Sequence, residues 1–150
     1  MLDEAAGLVK GRVSNYIPPA PDGPFDAKAI WPAVSMYKLA EASAEIGAAR
    51  VQMLDNLSDV WSYTLEGQPV PIEVRARARR DQVVAARRAV DAAGTIFSLA
   101  GGRGLSLRSP IQRLWRDANA GSHHVVNGAE QALTGYGAYL MGEPLEDQLV

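Results

Sequence analysis

An all-α chain is the fold class this sequence predicts, and three observations predict it. Alanine, glycine and arginine are frequent, whereas the valine, isoleucine, threonine and aromatic content that many strands would need is modest, with aromatics at 7%. Apolar and small residues recur at three- and four-residue spacing over long stretches. Proline- and glycine-rich breaks separate those stretches. Together they predict an up-down four-helix bundle with a short fifth helix.

The first helix is expected at about residues 2 to 13, in "MLDEAAGLVKGR", with no capping residue before it. "NYIPPAPDGPF" then reads as a loop, because its four prolines and a glycine cannot continue a helix. The second helix is expected from near Asp26 to about Leu65, with Pro32 tolerated in or near its first turn. Its apolar stripe runs through Val34, Tyr37, Ala44, Gly47, Val51, Leu54, Leu57 and Trp61. Such a helix spans ~57 Å at 1.5 Å per residue, a length that suits a bundle.

"EGQPVP" breaks the second helix, and Pro71 opens the third as a good first helical residue. The third stripe is Ile72, Ala76, Arg79, Val83, Ala86, Val90, Ala93, Phe97 and Ala100, with steps of four and three throughout. That is a seam of small residues, which lets neighbouring helices approach closely. Arg79 is its odd member. It is expected at the seam's edge, paired with an acid such as Asp81 or Asp91, or else in a buried interface ion pair.

"AGGRGLSLRSP" stops the third helix. A glycine-rich loop alone more often ends a helix than binds phosphate, and no strand precedes this one as a dinucleotide loop requires. Ser109 and Pro110 then open the fourth helix as N-cap and first-turn residue. It is expected to bury Ile111, Leu114, Trp115, Ala118 and Val125. Asn127 followed by Glu130 resembles a capping box for a fifth helix at about 128 to 141.

The composition limits the function classes. One domain is expected over residues 1–150, with 47% apolar residues supplying a core. A net charge of −2 leaves no surplus positive charge for a broad nucleic-acid footprint, although arginines cluster in "EVRARARRDQVVAARR". No apolar run approaches the ~20 residues of a membrane span, and the acidic start is not a secretory signal. There are no cysteines, which excludes disulfides and thiolate metal sites and fits a reducing, cytoplasmic setting.

The only two histidines, His123 and His124, are adjacent. If the fourth helix ends near Val126, both occupy its last turn, pointing about 100° apart, and cannot both face one partner. No metal site is expected, because helical ligand spacing is three or four and no third ligand cluster appears. A histidine nevertheless remains the best general base in the chain, since its unperturbed pKa is ~6.5.

"VRARARRDQVVAARRAVDAAGTIF" and "SPIQRLWRDANAGSHHVVNGAEQALTGYGAYLMGEPLEDQLV" resemble the C-terminal helical domain of two-component flavin-dependent monooxygenases with an acyl-CoA dehydrogenase fold. Within that family the likeness is to the actinobacterial branch that hydroxylates the phenolic ring of a secosteroid. The 4-hydroxyphenylacetate hydroxylases are wider relatives. The match is strongest from Arg75 to Val150 and weaker from Phe25 onward.

The resemblance implies specific roles. The family's catalytic histidine falls on His124, as base toward the substrate phenol, while His123 stands at a variable position. The loop Gly101, Gly102, Arg103, Gly104 and Ser106 corresponds to a segment that approaches the flavin phosphate or nucleotide end, commonly across a subunit interface. Arg113, Arg116 and Asp117 look like the family's structural ion pairs. The implied reaction is ortho-hydroxylation of a phenol by a C4a-hydroperoxide formed from reduced FMN, with FAD as alternative, and molecular oxygen. A separate flavin reductase and a homo-oligomer, dimer or tetramer, are the implied partners, with no nucleic acid and no membrane.

Family members carry an N-terminal helical domain and a middle β-domain that supply most of the flavin pocket. On this reading Met1 falls inside the bundle's first helix, and the segment alone is expected to hold flavin poorly and to hydroxylate nothing. Two other readings stay open. One is an acyl-CoA dehydrogenase-like oxidoreductase, against which the histidine segment argues because those enzymes often use a glutamate base. The other is a non-catalytic helical oligomerisation bundle.

Overall fold

A computed structural model describes residues 1–13 and 27–145. The loop expected between Asn15 and Phe25, and the helix start at Asp26, lie outside the described residues. Every long regular element is helical: α1 (Leu2–Val13), α2 (Ala27–Leu65), α3 (Ile72–Ala100), α4 (Pro110–Ser122) and α5 (Ala129–Leu140), with short 3-10 turns at Gly101–Leu105 and Val125–Asn127. Among the described residues there is no strand. The expected all-α class and helix order are therefore found.

Helix ends follow local chemistry. Gly67 adopts φ 64° after α2, where its N–H bonds to the Thr64 carbonyl and the Gln68 N–H to that of Tyr63. Only glycine takes this left-handed position cheaply, and the two bonds satisfy carbonyls that the helix end would leave open. Gly142, at φ 89°, closes α5 the same way through Tyr139 and Ala138.

The chain forms two compact units. The first comprises Met1–Glu45 and Val90–Ala118. Its core is apolar: Ala5 and Val9 of α1, Ala42 of α2, Ala92, Ala93, Ile96, Leu99 and Ala100 of α3, and Ile111 of α4 are buried. Fully burying a side chain such as Ile96 or Leu99 contributes about 1.5–3 kcal/mol. Phe97 and Trp115 stack at 4.7 Å between ring centroids. Gly104 is buried against Phe97 and Ala100. A Cβ there would lie 2.9 Å from Ala100 Cβ and 3.3 Å from the Phe97 ring, so only glycine fits this approach.

The second unit comprises Ile46–Ala89 and Asn119–Val150. Its buried residues include Ala49, Val74, Ala76, Val83, Ala85 and Ala132, but also Asn56, Arg79 and Asp81. Asn56 accepts a hydrogen bond from Arg77 Nε (3.1 Å) and donates one to Asp81 (2.8 Å). Arg80 Nε donates to the other Asp81 oxygen at 2.5 Å, and its Nη1 donates to the Tyr136 hydroxyl at 3.0 Å. This chain of polar bonds joins α2, α3 and α5. Burial pushes the Asp81 carboxyl up, but the bonds from Arg80 and Asn56, with the Arg80 charge, outweigh it and hold the carboxyl below the usual range.

Two expectations about packing are corrected. The apolar stripe of α2 is not its buried face: Tyr37, Val51, Leu54, Leu57 and Trp61 are exposed in the single chain. The buried positions of α2 include Ser35, Ala42, Ala49 and Asn56, each seven residues after the last. Small residues permit close backbone approach within the chain, so the bulky ones are left outside. Secondly, Val125 is 75% exposed and does not extend the α4 core. Ile72 is likewise exposed at the start of the α3 seam.

Candidate functional site: the histidine turn

The helix that carries the histidines ends earlier than its sequence suggests. α4 stops at Ser122, so neither histidine lies in its last turn. Gly121 and Ser122 weaken the helix there, and the Ser122 hydroxyl donates to the Asn119 carbonyl at 2.7 Å. The His123 and His124 N–H groups bond three residues back, to Ala120 and Gly121, tightening the end. His124 then turns extended, at φ −64° and ψ 139°, and caps the 3-10 turn Val125–Asn127. With the helix gone at this point, the two rings are not set about 100° apart by helical geometry.

The capping box is also corrected. Asn127 does not cap α5; its Nδ2 donates back to the Gly121 carbonyl at 2.9 Å. Gly128 is the N-cap of α5, with no side-chain bond. Asn127 therefore closes the loop between α4 and α5 by holding an open carbonyl of the preceding helix.

Arg79 explains how this turn is held. It is 5% exposed, and its Nη1 donates to the Val126 carbonyl. Gln82 Nε2 reaches the same oxygen at 3.3 Å. Val126 is thus held to α3 at its carbonyl, while its N–H, which lies in the preceding Val125–Val126 peptide, donates to His124 Nδ1 at 3.2 Å. Of the two acids expected to pair with Arg79, Asp81 instead binds Arg80 and Asn56. The signal in the sequence was the charge on an otherwise small-residue seam. The sequence does not specify which backbone carbonyl it would hold.

Both imidazoles are exposed. His123 Nδ1 lies 2.8 Å from the Asn119 carbonyl and 3.4 Å from Ser122 Oγ. Arg113, Arg116 and Asp117 are exposed and form no ion pair among the described residues, contrary to expectation. No group of three potential metal ligands occurs among the described residues. No described helix is long and apolar enough to cross a membrane.

The glycine-rich loop belongs to the first unit, and the histidine turn to the second. Gly101, Gly102, Arg103 and Ser106 are exposed. Arg103 lines a cavity of about 330 Å³ together with Leu8, Ser109, Pro110 and Ile111. Glu4 lines it too, so an anion there would meet a carboxylate as well as a guanidinium. Ser106 Oγ accepts the Arg108 N–H at 3.3 Å. Its hydroxyl proton and the Arg103 guanidinium are donors suited to an anionic group. Gly104 is different, because packing against Phe97 and Ala100 accounts for it.

A helical chain whose reactive side chains gather on an anchored turn, without a metal cluster among its described residues, is the class defined so far. The chain belongs to the acyl-CoA dehydrogenase C-terminal domain family, which matches residues 1–128. The flavin-dependent monooxygenase oxygenase subunit HsaA of Rhodococcus jostii (strain RHA1) is 42% identical over 113 residues, 75% of this chain and 30% of that protein. The oxygenase component of an FADH(2)-dependent resorcinol hydroxylase from Rhizobium sp. (strain MTP-10005) is 28% identical, over 95% of this chain and 37% of that one. The crystal structure of 3-HSA hydroxylase from Rhodococcus sp. RHA1 superposes with a TM-score of 0.85 at 36% identity, over 99% of this chain and 37% of that one. The chain therefore spans about a third of the length of these relatives. The family resemblance read from the arginine run and the histidine helix is borne out.

Proposed function

We propose that residues 1–150 are the C-terminal helical domain of the oxygenase component of a two-component flavin-dependent monooxygenase that hydroxylates a phenol ortho to its hydroxyl. Reduced flavin, when bound, supplies with molecular oxygen the electrophilic oxygen atom. FMN is the flavin first expected. The FADH(2) in the name of one relative keeps FAD as the alternative. A separate reductase delivers the reduced flavin, as the words oxygenase subunit and oxygenase component in the relatives' names suggest. The setting is cytoplasmic.

The observation that carries this reading is the histidine turn. An exposed imidazole, His124, accepts at Nδ1 from the N–H of Val126, a residue whose carbonyl buried Arg79 holds to α3. Its Nε2 edge has no partner among the described residues. A phenol reacts at its ortho carbon more readily as phenolate, so a group that governs the hydroxyl proton accelerates the transfer. His124 is that group. Arg103, Ser106 and the backbone of Gly101 and Gly102 would meet the flavin's phosphate end, while Gly104 shapes the loop. Exposed Val51, Leu54, Leu57 and Trp61 suit a homo-oligomeric interface, where the rest of α2 becomes covered.

The test uses the oxygenase assembled with its remaining domains. His124→Ala is expected to slow hydroxylation by about 100- to 10,000-fold. Oxidation of reduced flavin should change far less, so peroxide accumulates in place of product. An unchanged hydroxylation rate would remove His124 from the mechanism. The acyl-CoA dehydrogenase alternative predicts thioester oxidation by the same assembled enzyme. A plain oligomerisation bundle predicts neither activity.

A further inference from the structure

We propose that Arg79 and Gln82 are positioning residues for the hydroxylation, setting the backbone of His124 through the single peptide unit between Val126 and Asn127. The inference rests on the function proposed above, in which His124 governs the phenol proton.

Four consecutive residues of α3, Arg79 to Gln82, reach three different elements. Asp81 accepts from Asn56 of α2 at 2.8 Å. Arg80 donates to the hydroxyl of Tyr136, in α5, at 3.0 Å, and its guanidinium lies 4.8 Å from the centre of that ring. Arg79 and Gln82 are three apart, so they share a helix face. Both donate to the Val126 carbonyl, Gln82 at 3.3 Å. A carbonyl oxygen has two lone pairs, and side chains of α3 meet both. No backbone N–H among the described residues takes this oxygen.

A peptide unit joins the carbonyl of one residue to the N–H of the next in one plane. The N–H that shares a plane with the Val126 carbonyl is therefore that of Asn127. It donates to the His124 carbonyl at 2.8 Å. The connection runs from α3 to the Val126 oxygen, across one rigid unit, and out through the Asn127 N–H to the His124 backbone. Rotating that unit breaks the bonds at both ends together. The Val126 N–H lies in the unit before it and meets the His124 ring at Nδ1. From the other side, Asn127 Nδ2 holds the Gly121 carbonyl at the end of α4, at 2.9 Å.

These ties matter because His124 sits outside any helix, in extended backbone at φ −64° and ψ 139°. A helix cannot place its ring, so the turn must. Proton transfer needs the two heavy atoms within about 2.6–3.2 Å. A misplacement of about 1 Å can cost about 100-fold in rate. Arg79 is the stronger of the two ties, since it is buried and its bond carries a full charge.

Arg80 supplies an internal control. Tyr136 lies about two turns into α5, so loss of its bond to Arg80 should loosen that helix and leave the turn in place.

Three variants make the test. Gln82→Met removes one donor at nearly constant volume. Arg79→Lys keeps the charge and loses the planar fork. Tyr136→Phe removes the hydroxyl and keeps the ring. In the 150-residue chain, hydrogen exchange at the Asn127 amide, followed by NMR, reads the peptide unit directly. Exchange is expected to rise about three- to tenfold in Gln82→Met and Arg79→Lys, the effect of losing one ordinary hydrogen bond. Tyr136→Phe should leave it unchanged. In the assembled oxygenase, Gln82→Met and Arg79→Lys should lower kcat for hydroxylation by about 10- to 100-fold, the scale of a displaced catalytic group. KM for the phenol and the rate of flavin oxidation should hold, so peroxide replaces product. Tyr136→Phe should keep the native ratio of product to peroxide.

Unchanged Asn127 exchange in both Gln82→Met and Arg79→Lys overturns the hold on the peptide unit. Raised exchange with a native product-to-peroxide ratio overturns the positioning role. An equal loss of product in Tyr136→Phe means general loosening and overturns it too. An assembled wild-type enzyme that oxidises reduced flavin but hydroxylates no phenol defeats the function proposal instead, and the exchange result still decides the hold.

Discussion

In the first unit the side chains shut off from water are Ile96, Leu99, Ala5 and their neighbours, all apolar apart from Ser35; in the second they include Arg79, Asp81 and Asn56. Apolar packing has no direction: it sets how close helices come, and a methyl group can slide along its neighbour at small cost. Hydrogen bonds between buried polar groups do have direction, and leaving one unmade costs far more than making it gains. The unit with the polar core is also the one that carries the histidine turn. There α3 supplies both contacts, with Asp81 tied to α2 and Arg79 tied to the Val126 carbonyl. The first unit holds helices together by apolar packing, while the second also holds the backbone beside the histidines by directed bonds.

The largest effect should come from breaking each core at its centre. Asp81→Ala removes the acceptor for both Asn56 and Arg80, and losing one side of a buried pair costs about 3–5 kcal/mol. Leu99→Ala opens a cavity in the apolar core at a cost of about 2–5 kcal/mol. The two losses are similar in size at neutral pH, but their pH dependence separates them. The Asp81 carboxyl is lowered in the folded chain, so the unfolded chain binds more protons in the window between the two pKa values. Stability there rises with pH. The contribution is fully present above the ordinary aspartate value of ~3.9 and is lost as pH falls through the lowered folded value. Denaturant unfolding at about pH 7 and about pH 3 should show the native chain and Leu99→Ala losing stability together, with Asp81→Ala losing less. An equal acid loss in Asp81→Ala would mean that the polar core contributes nothing electrostatic.

A smaller effect sharpens the contrast within the first unit. Gly104→Ala puts a methyl 2.9 Å from Ala100 Cβ and 3.3 Å from the Phe97 ring, overpacking that should cost about 1–3 kcal/mol. Gly102→Ala meets nothing within 4 Å and should leave the melting temperature nearly unchanged. Both measurements use the chain without flavin. If Gly104→Ala melts like the native chain, the glycine is there for something other than packing.

Much of this fold was legible because helix patterning is local. Breakers at Pro71 and at the glycines after Ala100 placed the ends of α3 within a residue, and α1, the end of α2 and both ends of α5 lie within a residue of the expected bounds. Which face a helix buries was less legible. The α2 stripe of bulky residues reads as a core by hydropathy, yet the seam is Ser35, Ala42, Ala49 and Asn56. Hydropathy reports the cost of exposure, whereas close helix approach depends on size. At the site, the resemblance drew attention to His124. The end of α4 was misplaced because Asn127 and Glu130 mimic an N-terminal cap. Gly121 and Ser122 were the signals for an earlier stop. The link from Arg79 to Val126 spans 47 residues, and no local pattern encodes such a contact.

The smallest effect tests that misreading by its sign. If Asn127 capped α5, Asn127→Asp would be neutral or stabilising, since aspartate is as good an N-cap as asparagine and favours the positive end of the helix. The structure gives Asn127 the opposite task, with its amide donating to the Gly121 carbonyl at 2.9 Å. A carboxylate has no hydrogen to donate and would face that oxygen with negative charge. Asn127→Asp is therefore expected to destabilise the chain by about 0.5–1.5 kcal/mol at neutral pH, the worth of one ordinary hydrogen bond. Asn127→Gln, which keeps the donor on a longer arm, should recover part of the loss. A rise in stability for Asn127→Asp would return the residue to the head of α5 and detach the histidine turn from the end of α4.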